Sequence, residues 1–344
     1  MTPIFLSNKI PWFGNHTGYQ QLPRYMQKLT PLTKVIAAKH SLRDRVVGKA
    51  YSFYRGWSHR NQPDAAAELR FLRSNSVPDP VRHVLHFEDH FMFFDQWPKA
   101  PRDLIATLHI PREQWTPGEL EGLKHLSSAI VLYQRDIEFY ESHVGKGQVK
   151  FVRHGVDVDF FRPRSAPVEA RRILYAGHYL RNTPMLSRLI ERLSTKHPEL
   201  EFHLLVPEAF REQPGLDELQ GHPAIVWHGN LTDDELRNLI CSCYLTVVPM
   251  NNSGANTAIV ESLACGTPVV TTDVGGIRDY GGGTVYPVVD NDDDNAMFDL
   301  IGEYLRNSKR REEAARASRD FAVNELAWPL IARQHLETYE ALAR

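Results

Sequence analysis

Between residues 171 and 289, short β-rich runs alternate with longer stretches whose apolar positions recur at helical spacing. The runs at 173–177, 201–206, 224–229, 244–250, 268–273 and 284–289 read as strands. Strands separated by helices need crossovers, so the pattern predicts βα units around a parallel sheet. The first half repeats the theme, with candidate strands at 34–38, 83–87, 104–109, 129–133 and 149–153. Two Rossmann-like α/β domains follow, over 1–164 and 165–325. The segment 326–344 reads as a C-terminal helix packing back toward the N-terminal domain, with Trp328, Ile331 and Leu336 as apolar anchors. Residues 161–168 carry two prolines and no periodicity, which marks a linker. Ligands of open parallel sheets collect beyond the carboxyl ends of the strands. The active site is therefore expected in a central cleft, with the acceptor on the first domain and the nucleotide on the second.

Composition narrows this picture without changing it. A chain of 344 residues exceeds one ordinary core, and 42% hydrophobic with 24% charged residues is usual for a globular enzyme. No apolar run approaches the roughly 20 residues that cross a bilayer, and no signal peptide is read at the start. Cys241, Cys243 and Cys265 lie outside paired ligand spacings, favouring a reducing, cytoplasmic setting without structural zinc. Charge is uneven, net basic over 1–164 and net acidic over 165–344. The basic half suits an anionic partner such as a phosphorylated or lipid-linked acceptor, with peripheral contact at the inner membrane face. No basic and aromatic motif for nucleic acid stands out. In 42–57, Leu42, Val46, Ala50, Phe53 and Trp57 form a helical stripe flanked by Lys39, Arg43, Arg45, Lys49 and Arg55. That stripe suits either a membrane surface or packing on the N-terminal sheet.

The stretch 249–276 carries the chemistry as strand, loop, helix, strand and loop. Gly254, the small Ala255 and the capping residue Asn256 let a phosphate approach the free N–H groups of the first turn, at Thr257 and Ala258. Glu261 sits one turn further on, where a carboxylate can accept from both hydroxyls of a ribose. Gly266 and Pro268 stop the helix. The acidic run 290–295 lacks calcium-loop spacing and reads as the cap of a helix starting near Ala296.

Here the sequence resembles the family 4 retaining glycosyltransferases of the GT-B fold. Their signature places two glutamates eight positions apart before Ala-x-Gly-x-Pro-Val-Val, matched at 264–270, and a later Asp-x-Gly-Gly, matched at 273–276. The likeness extends through the loop Gly14-Asn-His-Thr-Gly18 and the stretches 106–111, 153–163 and 173–177. The second signature glutamate is Glu261, and the first falls on Ser253. Of the two cations that follow the 177-type turn in the family, the arginine position holds His178 and the lysine is missing, leaving Arg181.

The resemblance implies a metal-independent, retaining glycosyltransferase of hexosyltransferase type, using no cofactor. It would move a sugar from a nucleotide-diphospho-sugar, UDP- or GDP-linked, to an acceptor hydroxyl in cell-envelope polysaccharide or glycolipid synthesis. It also implies catalytic roles for His109, near the reacting sugar, and Arg181, at the leaving group. Donor contacts fall on Gly14, Gly18, Arg181, Ser253, Gly254, Asn256, Thr257, Ala258 and Glu261. His16 and Thr17, with Glu88 and Asp89 of the cluster His86, Glu88, Asp89 and His90, are candidate acceptor contacts, and that cluster is not read as a metal site. Two other readings stand beside this one, a GT-B sugar-nucleotide epimerase and a catalytically inactive nucleotide-sugar-binding protein.

Overall fold

A computed structural model describes residues 1–7, 14–55, 62–74, 77–90, 104–164 and 171–342. They divide into two compact units. The first takes in the described parts of Met1–Phe13, Gly18–Arg153 and Trp328–Arg344; the second takes in Gly14–Thr17 and His154–Ala327.

The first unit is built on a six-stranded parallel sheet, in the order β2-β1-β3-β4-β5-β6. Its strands are β1 (Thr2–Leu6), β2 (Lys34–Ile36), β3 (Pro80–Val84), β4 (Leu104–Leu108), β5 (Ser128–Val131) and β6 (Val149–Phe151). The run Ile4-Phe5-Leu6, which sequence reading left unassigned, pairs with both β2 and β3 and is fully buried. A strand covered on both faces shows no alternation, so its period is silent. The run expected at 83–87 starts earlier, at Pro80, and Phe87–Asp89 forms a 3₁₀ turn instead. The helices are α1 (Leu22–Leu29), α2 (Leu42–Arg55), α3 (Gln62–Arg73), α4 (Pro117–Leu123) and α5 (Ile137–Val144). Ile4, Leu6, Phe71, Val84, Leu104, Leu108 and Tyr140 share one core.

Helix α2 turns its apolar stripe outward. Asp44, Gly48 and Ser52 are the buried positions. A Cβ on Gly48 would sit 1.7 Å from the Gln62 carbonyl oxygen, and Arg70 of α3 donates to Asp44 at 2.8 Å. Leu42, Val46, Phe53 and Tyr54 are 79, 61, 88 and 82% exposed. Packing on the sheet therefore does not account for the stripe; Trp57 lies outside the described residues.

The second unit repeats the plan in the order β12-β11-β10-β7-β8-β9. Its strands are β7 (Arg172–Ala176), β8 (Glu201–Leu205), β9 (Ile225–His228), β10 (Leu245–Val248), β11 (Val269–Thr272) and β12 (Val288–Val289). Its helices are α6 (Thr183–Lys196), α7 (Asp233–Ser242), α8 (Thr257–Cys265), α9 (Asp294–Arg306) and α10 (Ser308–Phe321). The strand expected over 284–289 shrinks to two residues, because the N–H groups of Thr284 and Val285 turn back to the Gly281 carbonyl. Asp293 caps α9, its Oδ1 accepting the Ala296 N–H at 2.8 Å.

The division falls between Arg153 and His154, upstream of residue 164. Residues 154–164 are tied into the second unit, where Val156 N–H donates to the Leu326 carbonyl at 2.8 Å. Arg319 donates to the carbonyls of Phe161 and Val158. Residues 165–168 of the expected linker lie outside the described residues. The final helix, α11 (Trp328–Leu342), belongs to the first unit. Its Trp328 ring stacks on Tyr25 of α1, with centroids 6.2 Å apart.

Candidate functional site

Helix α8 follows β10 through a loop whose Ser253, Gly254 and Asn256 are buried. Asn256, extended at φ −124°, places Oδ1 to accept the Ile259 N–H at 3.3 Å, and its carbonyl accepts the Val260 N–H at 3.1 Å. The amides of Thr257 and Ala258 are left as helix geometry leaves them, at the positive end of the dipole. Asn256 is pinned from behind by its Nδ2, which lies 3.1 Å from the Met250 Sδ. Gly266 closes the helix in the left-handed region, at φ 67°.

One turn in, Glu261 is buried, and its Oε1 has no hydrogen-bond partner among the described residues. Burial pushes its carboxyl pKa up to about 8; the Thr17 hydroxyl partly offsets this, and the Asp233 charge adds to it. Thr17 comes from the Gly14–Thr17 loop, which packs into the second unit. Asn15 N–H donates to Asp233 Oδ2 at 2.6 Å, and a Cβ at Gly14 would fall 1.9 Å from Asp233 Oδ1, so a side chain there would push the Asp233 carboxylate aside. His16 pairs through Nδ1 with Asp157 Oδ2 at 2.6 Å and stacks on Phe160 with centroids 3.9 Å apart. Gly18, at φ 85°, takes the chain back into the first unit. Sequence reasoning had not singled out Asp157 or Asp233. The first sits inside the 153–163 motif, and the second carries no signal pairing it with a loop 218 positions away.

Ser253 and Gly254 are buried. The Ser253 hydroxyl donates to the Gly254 carbonyl at 2.9 Å, and its own carbonyl accepts the Gly276 N–H at 2.8 Å. The hydroxyl is thus engaged with its own loop. Arg181 is likewise occupied. Its Nε and Nη2 donate to the Ala176 carbonyl at 3.1 and 2.9 Å, and its Nη1 donates to the Tyr179 carbonyl at 3.0 Å. Burial lowers its pKa. The guanidinium lies under Gly177, where a Cβ would meet Nη2 at 2.5 Å, so it braces the turn after β7. His178 stacks on Phe210 with centroids 3.6 Å apart, and burial followed by the Arg181 charge depresses its pKa.

In the first unit, the His109 ring lies parallel to His86 at 4.5 Å and edge-on to Tyr19 at 4.9 Å. Its Nε2–H donates to the Leu85 carbonyl at 2.7 Å, so the neutral ring keeps a lone pair on Nδ1. Glu88 Oε1 accepts the N–H groups of His109 and Ile110 and so orients the end of β4; burial raises its pKa. Asp89 is exposed, and His90 turns away to pair with buried Glu68 at 2.5 Å. The four polar side chains of this cluster do not converge. Among the described residues no group of three or more His, Cys, Asp or Glu is arranged to hold a metal ion. A pocket of about 870 Å³ in the second unit is lined by Arg188, Arg192 and the 290–295 run, and contains none of the candidate residues.

Residues 170–307 match the family model described as glycosyl transferases group 1. A D-inositol 3-phosphate glycosyltransferase from Nocardioides sp. is 27% identical over 224 residues, covering 56% of this chain and 48% of that protein. The chain spans about half the length of the first curated relatives it matches. Among solved structures, a sucrose-phosphate synthase from Thermosynechococcus elongatus superposes with a TM-score of 0.73 at 16% identity, covering 99% of each chain. HepE of Anabaena, solved with UDP-glucose, gives 0.67 at 14% identity, covering 99% of this chain and 100% of that one. Two parallel six-stranded sheets and these neighbours make the fold GT-B, and residues 170–307 match the group 1 glycosyltransferase domain.

Proposed function

We propose that the chain transfers a sugar from a nucleoside-diphosphate sugar to an acceptor hydroxyl, with retention at the anomeric carbon. The observation that carries this is Glu261, a buried carboxyl group with an unpartnered oxygen one turn from the start of a helix capped by Asn256. Burial holds this carboxyl group protonated in the empty site, and a vicinal diol supplies the donors that let it ionise. The diphosphate then meets the amides of Thr257 and Ala258, a preorganised arrangement worth about 3 kcal/mol per donor at a developing anion. Arg181 supports the leaving group through its charge and by bracing the Gly177 turn. Glu261 orients the nucleotide and takes no proton from the acceptor. His109, with its Nδ1 lone pair, is proposed for the reacting sugar. The solved neighbour with UDP-glucose supports a uridine donor, and the relatives named for inositol 3-phosphate support a phosphorylated or otherwise anionic acceptor.

Calorimetry with UDP-, GDP-, ADP- and dTDP-sugars tests the donor. One class should bind wild type, and Glu261→Ala should lose that binding with the fold intact. Equal binding by the variant would remove the reading. Incubation of the bound donor with and without an acceptor panel separates transfer from epimerisation, which needs no acceptor.

The outward stripe of α2 supports a second element, contact with an anionic lipid surface. Leu42, Val46 and Phe53 face solvent beside exposed Arg43, Arg45 and Lys49, the combination that partitions into a headgroup layer. Flotation with phosphatidylglycerol vesicles should carry the protein at low salt, and Phe53→Ser with Leu42→Ser should abolish it. Flotation indifferent to both substitutions and to salt would rule it out.

A further inference from the structure

Helices α7 and α8 each end close to a thiol. Cys265 is the last residue of α8 and is buried, whereas Cys241, one residue before the end of α7, is partly exposed. The helix ends that carry them are joined where the Thr267 hydroxyl donates to the Ile240 carbonyl at 2.9 Å, and Cys241 Sγ donates to the Arg162 carbonyl at 3.3 Å. Both line one pocket of about 440 Å³, together with Arg164, Arg316 and Arg319. The chemistry of the pair is asymmetric. Contact with Cys265, followed by the charges of Arg237 and Arg164, lowers the Cys241 thiol pKa, while burial first and Cys241 next raise that of Cys265. An accessible thiol whose proton is held less tightly, beside a buried thiol that holds its own more tightly, is the arrangement of an attacking and a resolving cysteine.

We propose that Cys241 and Cys265 form a reversible intramolecular disulfide, opened to peroxide through the arginine-lined pocket and joining α7 to the end of α8. The Cys241 thiolate attacks one oxygen of hydrogen peroxide; an S–O bond forms, the O–O bond breaks, and hydroxide leaves to become water. Cys265 then attacks the Cys241 sulfenic sulfur. The S–S bond forms, the S–O bond breaks, and the hydroxyl departs as a second water with the Cys265 proton. Two sulfurs lose two electrons in all, and one peroxide gains them. A small dithiol reverses the step by exchange. Cys243, fully buried, takes no part.

The test is peroxide treatment of the full chain at a few equivalents, followed by alkylation under denaturing conditions and non-reducing peptide mapping. The expected product is one cross-linked peptide pair joining Cys241 and Cys265, with Cys243 alkylated and the pair released by dithiothreitol. Cys265→Ser should stop at a Cys241 sulfenic acid that dimedone traps, and Cys241→Ser should consume peroxide at least tenfold more slowly than wild type. Melting curves confirm that each variant is folded, and Cys265→Ala replaces the serine variant if it is not. Wild type that yields sulfinic acid at Cys241 without the linked peptide, or a linkage through Cys243, overturns the proposal.

Discussion

The Tyr19 hydroxyl donates to Nε2 of His335 across 2.6 Å, and the direction is fixed from the far side of the ring. Nδ1 of His335 gives its proton to the Ile331 carbonyl at 2.8 Å, so Nε2 is bare and Tyr19 must donate. The Thr107 hydroxyl, 3.1 Å from Tyr19, then donates to the phenol oxygen. Thr107 in turn accepts Nε2–H of His83 at 2.8 Å, and His83 Nδ1 accepts the Tyr339 hydroxyl at 2.6 Å. This chain leaves from α11 and returns to it, passes through β3 and β4, and is satisfied only while both imidazoles are neutral.

Acid should therefore loosen the first unit well before its carboxylates titrate. Burial holds the His335 pKa down to about 4 and that of His83 well below the ordinary value. An unfolded histidine takes its proton near pH 6.5. Between 6.5 and 4 the unfolded state binds a proton that the folded state refuses, so stability falls as pH drops through that window and levels off below it. For His335 alone the loss approaches about 3 kcal/mol. Urea unfolding at pH 7, 5.5 and 4.5 reads it, and His335→Asn should flatten the slope. An identical pH dependence in that variant would contradict the assignment.

Glu261 works in the opposite sense. Its carboxyl, near 4.5 when unfolded, sits at about 8 in the fold, with burial the main cause. Between those values the folded state holds a proton that the unfolded state has lost, so apo stability declines as pH rises from 4.5 to 8. Glu261→Gln does not titrate. The unliganded variant should be more stable than wild type at pH 8, by on the order of 2–4 kcal/mol, with the gap closing toward pH 5. The same variant should bind donor more weakly. Thermal melts across pH, paired with calorimetry, check both halves, and a variant less stable at pH 8 would contradict the first.

Local chemistry was legible in the sequence, whereas long-range partnership was not. The cap at Asn256, the stop at Gly266 and Asp293 before α9 follow from residues a few positions apart. The Gly14–Gly18 loop was legible as a motif. Its partners Asp157, Asp233 and Glu261 were not, since only tertiary folding brings them to it. β1 was missed because a doubly buried strand has no alternation, and α2 was ambiguous because periodicity gives a stripe without saying which way it faces. Spacing marks Arg181 as the remaining cation for the leaving group, whereas its bonds to the Ala176 and Tyr179 carbonyls follow no spacing rule.

Gly275 is the position of the α8 site least tolerant of a methyl group. Its φ is +54°, and a Cβ there would lie 2.0 Å from the Ser253 carbonyl oxygen. Backbone has to move, and with it the loop preceding Asn256. Gly275→Ala should cost about 2–4 kcal/mol and weaken donor binding at least tenfold, whereas Gly118→Ala, with open space around its Cβ, should leave binding unchanged. Urea melts and calorimetry on the two variants decide it.

Ser253 stands where the family signature has its first glutamate, and the surrounding packing argues against simple restoration. The side chain is 1% exposed, its hydroxyl is bonded to the Gly254 carbonyl, and its backbone oxygen is held by the Gly276 N–H. One further methylene and a carboxylate would enter a space closed by the 273–276 loop, placing a charge against the Gly254 carbonyl oxygen that the serine hydroxyl now satisfies. Ser253→Glu should destabilise the second unit by about 2–4 kcal/mol and gain no donor affinity. Ser253→Ala, which loses one hydrogen bond inside the loop, should cost about 1 kcal/mol. If the glutamate variant instead melts like wild type and binds the donor sugar more tightly, the loop opens toward the sugar in solution and the serine is a direct donor contact.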